Sequence, residues 1–339
     1  MGRLLCLGTL FAAAGLSQEF RGTILGRVVD PSGAAVAGAA IEVVNEATKT
    51  VVKSATNEAG NYQAPFLVPG NYTVRVELQG FKRLERPGIR VSTNEQAMID
   101  FKLELGATSE SVTVSTAAPL LNTTNSDLGQ VIDNSYVGMI SVSLSRNIIN
   151  LRNLAPGVTG DTGTYTSSAQ ATFSIAGGGS GQGRNEVILD GMPNTTAGGT
   201  FGFIPSVDSV EEVRVHTTMF DASYGHSNAG ALSITTRGGT NELHGAAYIF
   251  KRWQALYANS WTNNSLGLPK PPVAYRQWGY TVGGPVWIPK LYNGRNRTFF
   301  STSLERDHDP RELTRQARVP TDLERAGNFS RTLNRQGGA

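Results

Sequence analysis

The strongest constraint on this chain is its punctuation. Over Thr23–Leu105, short β-branched runs alternate with turn signals at intervals of roughly 8–12 residues. Strands are expected at Ile24–Val29, Ala40–Val44, Val51–Ala55, Tyr72–Leu78 and Ala97–Leu105. The turns between them are Asp30-Pro31-Ser32-Gly33, Asn57-Glu58-Ala59-Gly60 and Val68-Pro69-Gly70-Asn71, whose residue types accept tight bends. Such spacing predicts a small β-sandwich. Glycine makes up 39 of 339 residues, well above the ~7% typical of globular chains, and so extends the strand-and-turn habit to the rest of the chain. Past the first 16 residues no long uncharged apolar run occurs, which excludes a spanning helix.

Those first residues read as an export leader. Arg3 supplies a positive start, Leu4 to Leu16 an apolar stretch, and Gly15-Leu16-Ser17 a small-x-small cleavage site before Gln18. Met1–Ser17 is therefore expected to be a signal peptide, and export implies a cell-envelope or extracellular home. Cys6, the single cysteine, falls inside it, which excludes an intramolecular disulfide and a cysteine-based zinc site. The formal charge of +3 is uneven, with Arg306, Arg311, Arg315, Arg318, Arg325, Arg331 and Arg335 crowded near the end. No stacking platform or nucleic-acid motif accompanies them, so they read as a solvated loop and no nucleic-acid partner is expected.

The first module resembles the carboxypeptidase regulatory-like domain. The resemblance rests on Gly26-x-Val28-x-Asp30, Gly33, Gly38-Ala39, Gly60-x-Tyr62 and Pro69-Gly70-x-Tyr72. It implies a transthyretin-like, seven-stranded, non-catalytic β-sandwich over 22–105, with glycines in tight turns and tyrosines packed on one strand face.

The middle of the chain changes character. Glu110-Ser111-Val112-Thr113-Val114 is a short alternating stretch, and apolar residues from Ile140 to Leu154 have helical spacing that Pro156-Gly157 ends. A glycine-rich run at 176–183 precedes strands expected at Glu186–Leu189, Glu212–Thr217 and Gly230–Thr236, with a turn at Asp190-Gly191. The ordered elements Arg146-Asn147, Leu154-x-Pro156-Gly157-Val158, Asn185, Leu189-Asp190-Gly191, Pro205-Ser206-Val207-x-Ser209-Val210-x-Glu212, Tyr224-Gly225 and Gly230 resemble the plug of a TonB-dependent outer-membrane receptor of the Oar-like type. That resemblance implies an α+β plug over 106–239. Glu110, Ser111, Val112, Thr113 and Val114 then become candidates for the TonB-contacting box, recognised by strand addition, or else a linker or last edge of the sandwich. Arg146, Asn185, Asp190 and Glu212 become candidates for holding the plug together.

From Asn241 the pattern turns to strands fit for a membrane. In one, Trp278, Tyr280 and Val282 share a face, with Gln277, Gly279 and Thr281 opposite. Trp253, Tyr257, Trp261, Trp278 and Trp287 are placed to form an interfacial girdle. Lys290–Asn296 is expected to be a short turn. Gly238-Gly239-Thr240-Asn241-x-x-His244-Gly245, Gly283-Gly284-Pro285 and Phe299-Phe300 resemble the opening of this family's barrel, expected from 240 to 339.

Other chemistry finds little support. The glycine run lacks a following Gly-Lys-Ser/Thr, and His216, His226, His244 and His308 have no zinc-ligand spacing. Ser223 and Ser227 lack a nucleophile elbow, and Asp208, Glu211 and Glu212 read as a solvated strand end. No enzyme and no cofactor are expected. The fold expected is thus mainly β: sandwich, plug, then the first strands of an outer-membrane barrel, with the N-terminal modules in the periplasm. The resemblance implies TonB with its inner-membrane energising complex, outer-membrane lipid and an unidentified transported substrate as partners. An exported adhesin or carbohydrate-binding sandwich is the competing reading. A barrel of about 22 strands would need more than ~200 strand residues, whereas 97 follow Glu242. The chain is therefore expected to be an N-terminal fragment, which alone would leave open strand edges in lipid.

Overall fold

Alternation in the first strand, β1 (Gly22–Val29), fixes how the N-terminal part is built: Ile24, Gly26 and Val28 point inward while their neighbours point out. The computed structural model describes residues 20–106, 111–113, 128–133, 148–160, 173–175, 185–196, 201–218, 230–256, 258–270, 272, 275–308 and 319–332. The expected leader and the glycine run at 176–183 lie outside these residues. So do Tyr224-Gly225, Tyr257 and most of the expected helix before Ile148.

After β1 come β2 (Ala40–Asn45), β3 (Val51–Ala55), β4 (Asn61–Leu67), β5 (Gly70–Glu77), β6 (Arg83–Val91), β7 (Gln96–Met98), β8 (Phe101–Lys102) and β9 (Ser111–Thr113). One sheet has the order β4-β1-β7, with β8 also on β1; the other runs β3-β2-β5-β6-β9. Ile24, Val28, Ile41, Val43, Tyr72, Val74, Val76, Leu84, Ile99 and Leu103, drawn from both sheets, form one buried cluster. Tyr62 and Tyr72 join it while keeping their hydroxyls satisfied, donating to the carbonyls of Ile99 (2.8 Å) and Val68 (2.7 Å). Burial raises both phenols above the ordinary tyrosine pKa.

Two strands escape the sequence pattern because each contains a proline. Pro65 sits in β4, which lies at a sheet edge and carries a bulge opposite Gly22 and Ile24, so no ladder bond is forfeited in a sheet interior. In β6, Pro87-Gly88 occupies the bulge between the pairs Tyr72–Ile89 and Val74–Arg86. There Gly88 adopts φ 72° and donates its N–H to Glu46 Oε1 at 2.9 Å. The single strand expected at Ala97–Leu105 is interrupted into β7 and β8, both parallel to β1. Between them Ile99 approaches Gly26 so closely that a Cβ there would lie 1.9 Å from the Ile99 carbonyl oxygen. Asp100 Oδ1 meanwhile accepts from the Arg27 N–H at 2.8 Å.

The middle part comprises β10 (Leu128–Asp133), β11 (Val158–Gly160), β12 (Phe173–Ile175), β13 (Glu186–Leu189), β14 (Met192–Pro193), β15 (Val210–Thr218) and β16 (Ala231–Thr236). A mixed sheet has the order β10-β15-β16-β13-β14, with β13 parallel to β16. Its apolar face carries Ile132, Val187, Val213, Val215, Leu232 and Ile234, covered in part by Ile148 and Leu151. The described portion of the expected helix, Ile148–Leu154, is wound as a 3-10 helix.

Next come β17 (His244–Lys251), β18 (Arg276–Pro285), β19 (Trp287–Ile288), β20 (Tyr292–Asn293) and β21 (Phe299–His308), with sheet order β17-β18-β21. Gln277 and Gly279 are buried while Trp278 and Tyr280 are exposed, as the alternation required. The stretch expected to be one short turn instead closes the β19–β20 hairpin, where Lys290 takes φ 63°. Backbone contacts divide the chain into two compact units, Met1–Ala247 with Tyr280–Leu304, and Tyr248–Gly279 with Glu305–Ala339. In the second unit, Arg252 stacks 4.3 Å above the Tyr275 ring, whose hydroxyl donates to Gln277 Oε1 at 3.1 Å. Two short helices, Trp261–Ser265 and Asp322–Arg325, start at the capping residues Ser260 and Thr321. No helix among the described residues is long and apolar enough to cross a membrane, which says nothing about strands.

Candidate functional site at the junction of the N-terminal and middle sheets

The sequence of β15, Val-Glu-Glu-Val-Arg-Val-His-Thr-Thr, places Val213 and Val215 on the apolar face and Glu212, Arg214 and His216 on the other. A polar face of this kind is ordinarily wetted. Here it is buried: Glu212, Arg214 and His216, with Ser233 and Thr235 of the neighbouring β16, are all at most 5% exposed. Glu212 is thus no solvated strand end, although its neighbour Glu211, at the register shift between Val210 and Glu212, keeps a side-chain exposure of 29%. The ladder pairs Glu212 with Thr235 and Arg214 with Ser233, so the polar groups lie side by side across the two strands.

Thr93, just beyond β6 in the N-terminal part, plugs into this face with every polar atom engaged. Its N–H donates to Glu212 Oε1, its carbonyl accepts from Arg214 Nη1 at 2.6 Å, and its hydroxyl meets that of Thr235 at 2.6 Å. Arg90, at the end of β6, reaches Glu212 Oε2 at 3.5 Å and Glu211 Oε1 at 3.8 Å, while Arg237 Nε donates to Glu211 Oε2 at 3.2 Å. A buried carboxylate is costly unless paired and hydrogen-bonded. Glu212 has both kinds of partner, and they come from the other module.

A second tie is made by Asn241. Its backbone N–H donates to the Ala47 carbonyl at 3.1 Å, and its side-chain amide donates to the Thr48 carbonyl and to Asn296 Oδ1, each at 2.8 Å. Its Oδ1 accepts from the Asn296 N–H at 2.7 Å. One side chain therefore joins the β2–β3 turn, the lead into β17 and the turn before β21. Gly239 passes nearby where a Cβ would lie 2.3 Å from the Phe300 carbonyl oxygen, so glycine at this position answers to a close backbone approach.

Asp190 has a local role. With Gly191 it makes the two-residue loop of the β13–β14 hairpin, both at positive φ (48° and 78°). Its carboxylate accepts from the Thr236 N–H at 2.8 Å and the Thr236 hydroxyl at 2.7 Å, fastening the loop to the end of β16. Asn185 is buried immediately before β13. Arg146, Glu110 and Val114 lie outside the described residues. Ser111–Thr113 form β9, parallel to β6, with Arg83 opposite Ser111, Leu84 opposite Val112 and Glu85 opposite Thr113.

Between the ties lies a cleft of about 740 Å³, lined among others by Glu46, Lys49, Arg90, Glu211, Arg237 and Glu242. Its charges are mixed and several are paired across it, so it selects no one ionic ligand. Among the described residues no group of three or more His, Cys, Asp or Glu is placed to hold a metal ion. The chemistry of the junction is attachment. Sequence reasoning singled out Glu212 and Asp190 but missed Thr93 and Arg90 as partners of Glu212, Thr236 as the partner of Asp190, and Arg214 as the donor to the Thr93 carbonyl. The polar alternation of β15 was a signal for Arg214; Thr93 and Arg90 lie outside that strand.

Comparison with known proteins bears on both ends of the chain. Residues 23–104 match the carboxypeptidase regulatory-like domain, and residues 235–337 match an outer membrane beta barrel domain. The chain is similar to the TonB-dependent transporter Oar of Myxococcus xanthus, 27% identical over 320 residues that cover 86% of this chain. It spans 28% of that relative's length. Among solved structures, the ferric enterobactin receptor of Pseudomonas aeruginosa aligns with 47% of this chain and 22% of its own, at 17% identity and a TM-score of 0.33. A carbohydrate-binding protein from Bacteroides uniformis, described as such only provisionally, aligns with 24% of this chain and 40% of its own, at 25% identity and a TM-score of 0.22. The transporter relative and the barrel match indicate the outer membrane as this chain's location.

Proposed function

We propose that this chain is the N-terminal portion of a TonB-dependent outer-membrane transporter. In this reading a leader at 1–17 directs export, and a regulatory-like β-sandwich spans 22–105. The TonB-contacting segment and plug span 106–239, and the barrel opens at 240. One observation carries the reading: a regulatory-like domain match at the start and a barrel match at the end flank a mixed sheet, and the transporter relative aligns across nearly all three. The alternation in β18, with Trp278 and Tyr280 exposed opposite buried Gln277 and Gly279, supports a strand with one lipid-facing side.

The mechanism follows from attachment rather than covalent chemistry. Substrate binds outside the plug, TonB engages Glu110–Val114 from the periplasm, and its inner-membrane energising complex supplies the work that rearranges the plug. Asp190 fastens the β13–β14 hairpin to β16, and Glu212 anchors the N-terminal module to β15. Tension on that module is thereby delivered to the plug sheet and, through Asn241, to the root of the first barrel strand. Arg146 and Asn185 complete the set of residues proposed to hold the plug.

The test combines location and partner. Native protein should be recovered with the outer membrane on fractionation, and the 339-residue chain in detergent should be captured by the immobilised periplasmic domain of TonB. Deleting residues 110–114 should lower that capture at least tenfold. Recovery in the soluble periplasmic fraction would sink the transporter reading, and unchanged capture after the deletion would sink the box assignment.

A further inference from the structure

We propose that the β19–β20 hairpin is an anchor for anionic phospholipid. It lies in the headgroup layer of the periplasmic leaflet, with Trp287, Ile288 and Leu291 in the lipid and Lys290, Arg295 and Arg297 on lipid phosphates. The membrane and the side come from the transporter reading; the lipid class and the residues that select it go beyond that reading.

The hairpin is a firm frame with a bare apolar end. Among the described residues β19 and β20 pair with each other and with no other strand, Trp287 opposite Asn293 and Ile288 opposite Tyr292. At the base, the Val286 N–H donates to the Thr298 carbonyl at 2.9 Å and the Gly294 N–H to the Val286 carbonyl at 2.8 Å. Beyond that frame Trp287, Ile288, Leu291 and Tyr292 all remain exposed, Leu291 by 80%. Two short strands carrying four bare apolar side chains would gain little from folding in water. An apolar phase removes that cost, and the hairpin follows directly on β18, the strand whose Trp278 and Tyr280 are exposed.

Charge decides which lipid. Between Glu242 and Glu305 the chain has seven lysines and arginines and no carboxylate, and three of the seven fall within 290–297. All three are exposed, and among the described residues no carboxylate pairs with them. The Leu291 N–H donates to the Ile288 carbonyl at 3.1 Å, closing a turn with Pro289 and Lys290 at its centre. Lys290 holds φ 63° there, a conformation that glycine or asparagine adopts with less strain. A lysine in that place sets an ammonium beside Leu291 at the tip, and cations next to inserted apolar groups suit an anionic headgroup layer. The side follows from Asn296, whose Oδ1 accepts from the Asn241 side-chain amide that also donates to the Thr48 carbonyl. The hairpin thus keeps to the side of the N-terminal module, which the transporter reading puts in the periplasm.

The test reads lipid preference at one residue. The chain has four tryptophans, so Trp253→Phe, Trp261→Phe and Trp278→Phe together leave Trp287 as the sole emitter. Keeping Trp278 in place of Trp287 gives the matched reporter. Each 339-residue variant is reconstituted into phosphatidylcholine vesicles that carry an equal fraction of brominated phosphatidylglycerol or brominated phosphatidylcholine as quencher. At Trp287 the brominated phosphatidylglycerol should be preferred by at least about threefold, while Trp278 should show no preference. Lys290→Gln, Arg295→Gln and Arg297→Gln together should bring the preference at Trp287 close to unity, as should high salt. Lys290→Gly, which relieves the positive φ, should lower the preference without loosening the hairpin. Equal quenching by the two lipids at Trp287, or a preference that survives the triple Gln variant, overturns the proposal. Quenching of Trp278 without quenching of Trp287 means that water or a second copy of the chain covers the hairpin, and overturns the anchor while the membrane strand stands. Absence of quenching at both tryptophans overturns the lipid-facing reading of β18 as well, so the two failures are distinguishable.

Discussion

Replacing Glu212 by alanine tests whether the buried polar junction holds the N-terminal module to the middle sheet. The substitution removes the acceptor of the Thr93 N–H, and Thr93 is only 1% exposed, so water does not readily take the acceptor's place. A buried donor left unsatisfied costs about 1–3 kcal/mol. Arg90 loses one partner at 3.5 Å but is itself 40% exposed and retains Glu211 at 3.8 Å, which limits that contribution to about 0–1 kcal/mol. The total expected is about 1–4 kcal/mol, a shift of roughly 5- to 900-fold in the docking equilibrium. Glu211→Ala is the matched control. It neighbours Glu212 in sequence and carries the same charge, yet its side chain is 29% exposed and meets Arg90 and Arg237 in partly solvated pairs. Its loss should cost under about 1 kcal/mol. Native-state hydrogen exchange at backbone amides of 91–95 and 212–216 in the 339-residue chain reads this opening directly. Glu212→Gln, which keeps an acceptor oxygen, should fall between the two. If Glu212→Ala shifts those amides no more than Glu211→Ala does, the junction is not held by the buried carboxylate and the reasoning fails.

Other perturbations probe the N-terminal sheets in the same chain. Gly26→Ala should cost about 2–3 kcal/mol in the exchange-derived stability of β1, since its Cβ would meet the Ile99 backbone at 1.9 Å. Gly33→Ala, which meets nothing within 4 Å but has φ 90°, should cost about 1 kcal/mol, and parity between the two glycines would refute the close-approach argument. Tyr62→Phe strands the Ile99 carbonyl and should lose about 1–2 kcal/mol by thermal melting. Because burial raises the Tyr62 pKa above its unfolded value, the stability it contributes is present below the ordinary tyrosine range and lost as pH rises beyond it. Its phenolate absorbance should therefore appear together with unfolding rather than before it. Asp30 titrates in the opposite sense: hydrogen bonds from the Ser32 hydroxyl and from the Ser32, Gly33 and Ala34 backbone hold its pKa below 3.8. Its contribution is present above the unfolded pKa and lost as pH falls through the depressed one, so Asp30→Asn should flatten the acid limb of the stability profile.

What could be read from the sequence divides along physical lines. Runs such as Val51–Ala55 and Glu186–Leu189 were legible because a β-branched stretch between turn signals has few other local solutions. The Asp190-Gly191 turn was legible for a similar reason: few residue pairs accept positive φ twice in succession. β4 and β6 were not, since Pro65 and Pro87 argue against a strand until it is known that one lies at a sheet edge and both fall at bulges. Those facts belong to the pairing partner and are absent from the local pattern. The same limit governed the site. Glu212 could be singled out by its neighbours in the chain, but Thr93 lies 119 residues away, and no periodicity connects them.

The polar face of β15 and β16 shows why alternation alone misleads about exposure. A strand that reads apolar, polar, apolar is ordinarily assigned one dry face and one wet face, because an unpaired charge in a dry place costs several kcal/mol. That inference holds for a sheet considered alone and weakens once a second module supplies complementary groups. Thr93 offers a donor to Glu212, an acceptor to Arg214 and a hydroxyl to Thr235, so the face becomes dry without leaving those contacts unmade. Such an interface differs from an apolar one in how it fails. Apolar surfaces separate gradually as area is exposed, whereas a set of charge-assisted hydrogen bonds at one residue lets go over a short displacement. A module attached in this way stays in register under small loads and detaches abruptly under large ones. Substituting the cluster Thr93, Glu212, Arg214 and Thr235 with apolar residues of similar volume should therefore leave the docked state about as stable while making its release more gradual under force. Single-molecule pulling from residues 111–113 would reveal the difference, and an unchanged rupture profile would show that the polar contacts do not set the attachment's mechanical response.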